Sequence, residues 1–99
     1  MNKISGIWFC GLSGSGKSYA SIFLEKKIKN SIKLEGDTIR KYLSSDLGYT
    51  KKERIISARR NLQLAKILIH ENKFPLISNA FLDKVTVEMA KTSGIKVLQ

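Results

Sequence analysis

The chain has 99 residues, 42% hydrophobic and 26% charged, with eighteen Lys and Arg against eight Asp and Glu for a formal net charge of +10. That length suits one compact domain and not two, and the apolar fraction argues against wholesale disorder. No stretch approaches the roughly 20 continuous apolar residues of a membrane-spanning helix, so the expectation is a soluble, globular domain with no membrane partner, and a lone cysteine fits a reducing cytoplasm. Lys3 ahead of an apolar run is not a secretory signal, because Ser5 and Gly6 interrupt the run and glycines and a lysine follow it instead of a cleavage site. The single cysteine, Cys10, cannot form an internal disulfide, and with the single histidine, His70, it cannot assemble a metal site.

Ile4 to Cys10, nearly all apolar and containing Trp8 and Phe9, predicts a strand buried on both faces of a parallel sheet. Lys17 to about Lys29 predicts a helix, with Ala20, Phe23, Leu24 and Ile28 on one face and Asn30 as its stop. Ser31 to Glu35 follows as a second strand ended by Gly36, and Asp37 is expected to cap a short helix through Leu43. After a loop over Ser44 to Gly48, Thr50 and Glu53 form a capping box for a long helix to about Glu71, with Ile55, Ala58, Leu62, Ala65 and Ile69 as its apolar stripe. Phe74 to Ala80 predicts a third strand, Asp83 to Thr92 a helix ended by Gly94, and Ile95 to Leu98 a fourth strand. The order βαβααβαβ describes an α/β three-layer sandwich with a parallel sheet of about four strands. The chain stops at Gln99, at the end of a strand and without a closing helix, so the expectation is the amino-terminal part of a single larger domain.

Gly11-Leu12-Ser13-Gly14-Ser15-Gly16-Lys17-Ser18 matches G-x-x-x-x-G-K-[ST] in full, between a predicted strand and a predicted helix. Gly11, Gly14 and Gly16 allow close backbone approach, and N–H groups around Ser13 and Ser15 together with the helix N-terminus point at phosphate. Lys17 supplies charge to the β and γ phosphates of a nucleotide, and Ser18 offers a hydroxyl to Mg²⁺, although the string alone does not separate kinases from GTPases or ATPases. Leu34-Glu35-Gly36-Asp37-Thr38-Ile39-Arg40 then places an acid at the carboxyl end of the second strand, where an open parallel sheet faces its ligand crevice. Asp37 there is suited to orient or deprotonate an acceptor hydroxyl and Arg40 to hold an anionic group, although an N-cap and a solvated helix residue explain the same positions.

Asp46-Leu47-Gly48-Tyr49, followed by Arg54, Arg59 and Arg60, completes a set of three motifs. Over about residues 4 to 82 this set resembles the adenylylsulfate (APS) kinase family, with its phosphate-loop NTPase-like fold. The resemblance implies ATP-dependent phosphorylation of the 3′-hydroxyl of adenylylsulfate, giving PAPS and ADP, with Mg²⁺ and small nucleotides as partners; a homodimer is left open. Position by position, Asp37 matches the acid acting on the acceptor hydroxyl. Arg40 and Arg54 match arginines that bind the phosphosulfate region, Tyr49 matches the aromatic that stacks on adenine, and Ser57 stands on the acceptor side where the family commonly has Asn. Arg59 and Arg60 fit structural ion pairs.

Glu35 replaces the first Asp of the family's Asp-Gly-Asp, and Asp83-Lys84 replaces a Ser-Pro pair. These departures, with Ser57, touch the acceptor side and leave the ATP loop intact. A related kinase acting on another nucleotide, such as a cytidine diphosphate derivative, is therefore the alternative. The family's lid and carboxyl-terminal half lie beyond what this sequence carries, so an isolated 99-residue piece is expected to expose a sheet edge and leave the transferring phosphoryl group open to water, and its activity alone is left open. A nucleotide-sensing nucleic-acid-binding module is the rival from another class, because the net charge suits polyanions.

Overall fold

The computed structural model describes residues 4–11, 24–79 and 82–98. Strand β1 (Gly6–Cys10) is shorter than the expected Ile4 to Cys10, because Ile4 is exposed and only Ser5 still donates its N–H across to Gly94. Strand β2 (Ser31–Glu35) leads straight into helix α1 (Gly36–Leu43), and helix α2 (Lys51–His70) leads into β3 (Phe74–Asn79). Helix α3 (Lys84–Thr92) and β4 (Ile95–Leu98) close the described chain. Of the helix expected over residues 17–29, residues 24–27 are helical; the remainder up to residue 23 lies outside the described residues, as does Ala80 at the end of the third strand.

The helix ends follow local chemistry. Thr50 caps α2 by accepting from Glu53 N–H, as the capping box requires. At the other end Asn72 takes φ 63°, with Lys73 N–H reaching Leu68 O and Asn72 N–H reaching Ile69 O, a Schellman stop built on the side chain that tolerates the left-handed region. Asn30, with φ 64°, likewise stands where a stop was expected. Asp37 does not cap α1. The N-cap is Glu35, at φ −90° and ψ 136° with no side-chain cap bond, and Asp37 sits in the first turn, where the helix dipole favours an anion.

All four strands pair in parallel, in the order β2-β3-β1-β4. Trp8, Ile77 and Ile95 on one face meet Leu62 and Ala65 of α2 and Ala90 of α3 in a single apolar cluster. Phe9 and Leu76, one residue out of phase and so on the opposite face, are equally buried, which means that both faces of the sheet are covered. This is the expected three-layer α/β arrangement. Pro75 lies within the interior strand β3, where its missing N–H would normally exclude it. Its ring is accommodated by Gly6, whose Cβ, if present, would stand 2.9 Å from Pro75 Cγ.

Candidate functional site

The strand order locates the site. The chain leaves β1 toward β2 on one side and leaves β3 toward β4 on the other, so the switch point falls between the carboxyl ends of β1 and β3. Gly11, the first residue of the phosphate-loop string, donates its N–H to Asn79 O at 3.1 Å across that point. Beside it, Gly36 brings the start of α1 against β3 so closely that a Cβ would lie 2.8 Å from Ser78 O. The glycine between Glu35 and Asp37 is thus a steric requirement of the strand-to-helix junction.

Asp37, Arg40, Lys41, Ser45, Leu47 and Tyr49 line one open crevice of about 510 Å³. Asp37 is exposed and accepts no hydrogen bond among the described residues, so its carboxylate is uncommitted. Tyr49 is 69% exposed, and the Arg40 guanidinium lies 4.2 Å from its ring centroid, a cation–π contact. Apart from that cation, most of the Tyr49 side chain faces solvent.

The loop that carries Tyr49 is braced from three sides. Arg40 Nη1 donates to the carbonyls of Leu47 at 2.9 Å and Gly48 at 3.1 Å. Glu53 accepts from Gly48 N–H at 2.7 Å and from the Thr50 hydroxyl at 2.8 Å. Arg60 forks onto Asp46 at 2.8 and 3.1 Å and also donates to Leu43 O and to the Ser44 hydroxyl. The Arg60 hydrogen bond holds the Asp46 carboxyl below its ordinary value, and Asp46 in turn raises Arg60. Glu53 is lowered first by the Gly48 N–H and then by the Thr50 hydroxyl.

Of the residues expected at the site, the structure therefore brings Asp37, Arg40 and Tyr49 together. Arg40 is partly engaged by the loop, so one edge of its fork is committed to carbonyls. Arg54 and Ser57 do not line this crevice: Arg54 is exposed in the first turn of α2, and Ser57 is buried on its inner side. Both stand on the amino-terminal side of Asn61, which meets the last residue of β3, so the helix carries them beyond the carboxyl edge of the sheet. Positions 12–18 of the phosphate loop, including Lys17 and Ser18, lie outside the described residues. Arg59 pairs with Asp83 at 3.8 Å and Arg60 with Asp46, the structural role expected for both. Asp83 also accepts from the Thr86 N–H and hydroxyl as the N-cap of α3, which gives the departure from Ser-Pro a local explanation. Burial raises Asp83, but the bonds from Thr86, with Arg59 nearby, outweigh it and hold its carboxyl below the usual value.

Sequence reasoning missed Asn61 and Asn79. Asn61 Nδ2 donates to Asn79 Oδ1 at 3.0 Å at the edge of the switch point. The available signal was a polar amide between Ala58, Leu62 and Ala65 on the buried stripe of α2.

A parallel α/β sheet whose first strand runs into G-x-x-x-x-G-K-[ST], with an acid and an aromatic gathered at its carboxyl edge, defines a phosphate-loop kinase fold. The Adenylylsulphate kinase family model matches residues 3–92, and the chain belongs to that family. The adenylyl-sulfate kinase of Staphylococcus epidermidis is 40% identical over 72 residues, covering 69% of this chain and 36% of the relative. That of Buchnera aphidicola is 42% identical over 76 residues, covering 73% of this chain and 37% of the relative. The chain thus spans little more than a third of the length of these curated relatives. The Mycobacterium tuberculosis APS kinase CysC, solved in complex with AMPPNP and APS, superposes with a TM-score of 0.72 at 29% identity, covering 98% of this chain and 61% of that one. Among the described residues no helix is long and apolar enough to cross a membrane.

Proposed function

We propose that the protein phosphorylates the 3′-hydroxyl of adenylylsulfate with ATP, giving PAPS and ADP, as a step of sulfate activation. The observation that carries this reading is the crevice uniting Asp37, Arg40 and Tyr49 in a chain of the adenylylsulphate kinase family. In it, Asp37 aligns the attacking hydroxyl and takes its proton, Tyr49 offers its exposed ring to the adenine, and Arg40 presents the uncommitted part of its guanidinium to an anionic group of the acceptor. Arg54 adds a second cation from the overhanging start of α2. Backbone N–H groups over 13–18 and Lys17 hold the ATP phosphates and stabilise charge on the transferred group.

Mg²⁺ is commonly held by one or two protein oxygens together with substrate phosphates. The uncommitted Asp37 carboxylate at the carboxyl edge of the sheet fits that donor set, and Ser18, outside the described residues, is the hydroxyl that the phosphate-loop string offers to the ion. Bound there, the ion would neutralise phosphate charge. The deciding experiment is a coupled ADP-release assay on the complete gene product, comparing adenylylsulfate with other nucleotide acceptors. Turnover with adenylylsulfate is expected, and turnover with a non-sulfated acceptor alone would keep a kinase and discard this substrate.

A further inference from the structure

Helix α2 turns a polar side chain into its own buried face. Asn61 is 1% exposed, between Ala58, Leu62 and Ala65, where an apolar residue would satisfy the packing. Its Nδ2 donates to Asn79 Oδ1 at 3.0 Å, while its own Oδ1 is buried with no hydrogen-bond partner. A purely structural role is poorly served by this arrangement, because an apolar pair of similar shape would fill the space without stranding an acceptor.

The arrangement does fix Asn79. With Oδ1 occupied by Asn61, the Asn79 Nδ2 is left as a donor beside Gly36, 3.2 Å from where a Gly36 Cβ would stand. The main-chain carbonyl of the same residue takes the Gly11 N–H. Gly11 opens the phosphate-loop string and Gly36 opens the helix that bears Asp37. One amide therefore sits at the switch point between the donor and acceptor halves of a transfer reaction, and its Nδ2 has no acceptor among the described residues.

We infer that Asn79 is an acceptor-binding residue, its Nδ2 donating to a hydroxyl oxygen of the acceptor's sugar next to the oxygen that Asp37 orients, and that Asn61 is the positioning residue that holds it so. The inference rests on the kinase reading above. A neutral donor suits an uncharged hydroxyl, whereas phosphate oxygens are served by the loop N–H groups and by cations.

Steady-state kinetics on the complete gene product with ATP and adenylylsulfate, paired with calorimetric binding of adenylylsulfate and thermal unfolding, test it. Asn79→Ala is expected to raise the acceptor KM and Kd about tenfold, the scale of one lost hydrogen bond, with the ATP KM within about twofold of wild type. Asn79→Asp, which still accepts from Asn61 but has lost its N–H donors, should behave in the same way. Asn61→Leu should weaken acceptor binding about threefold or more with Tm little changed, since it removes the stranded Asn61 Oδ1 but takes from Asn79 Oδ1 the donor that holds it. A lower Tm with unchanged acceptor constants would overturn the positioning role of Asn61. Acceptor constants at wild-type values in both Asn79 variants, or ATP constants that shift as far as the acceptor's, would overturn the inference and leave the kinase reading standing. A wild-type protein that neither binds nor phosphorylates adenylylsulfate would overturn the reading, and the inference with it.

Discussion

Asp37 sits one residue inside α1 because Glu35 takes the N-cap position, and it is this offset that leaves its carboxylate unspent on backbone N–H groups. In the proposed reaction, an acid so placed serves the acceptor and not the nucleotide donor. Asp37→Asn in the complete gene product is accordingly expected to lower turnover by about 10²- to 10⁴-fold, the usual worth of a general base, while ATP binding stays within about twofold. Lys17→Ala is expected to do the opposite and abolish ATP binding; titration with a fluorescent ATP analogue separates the two. The neighbouring Gly36 meets a harder constraint. Any Cβ there runs into Ser78 O at 2.8 Å, a main-chain atom that cannot rotate aside. Gly36→Ala should cost about 1–3 kcal/mol of stability, read as a lower denaturant midpoint at unchanged slope.

At the scale of elements, the loop between α1 and α2 is held almost entirely by charged side chains. Asp46 and Glu53 both have carboxyls lowered by the bonds they accept, from Arg60 and from the Gly48 N–H respectively. A carboxyl lowered in the folded state contributes stability that is present above its unfolded pKa and is lost as the pH falls through its folded one. The loop is therefore expected to loosen as the pH drops below about 4, while the sheet persists. Faster exchange of the Gly48 and Tyr49 amides than of β1 amides, over that window, is the measurement. Glu53→Gln should remove the acid-dependent part at Gly48 and leave the loop looser at neutral pH.

For the whole molecule, three strands and two helices share one apolar cluster, so a hole anywhere in it is felt by all five elements. Leu62→Ala, at the centre of α2 and fully buried, should cost about 2–5 kcal/mol, a large share of the 5–15 kcal/mol typical of a domain. Loss of signal from Trp8, which lies in the same cluster, should coincide with loss of helix in the unfolding curve. Separate transitions would mean that α2 and the sheet do not unfold as one unit.

What could be read without coordinates was what short-range chemistry controls. The continuous apolarity around Trp8 and Phe9, the Thr50–Glu53 box, the 3-and-4 spacing of Ala58, Leu62 and Ala65, and the phosphate-loop string each depend on residues within a turn or two of one another. So does the position of Asp37 at a strand end, from which its acceptor role was proposed. Its expected N-cap failed by two residues, because tight packing of Gly36 on β3, not an Asp side chain, sets where α1 begins. The brace of Arg60 on Asp46 and the engagement of Arg40 by Leu47 and Gly48 depend on how a loop folds back on two helices. Asn61 was legible only as an oddity on an apolar stripe. Its meaning came from the register that sets Asn79 between Gly11 and Gly36, and sheet register is a property of strands far apart in the chain, decided by the packing of all of them together.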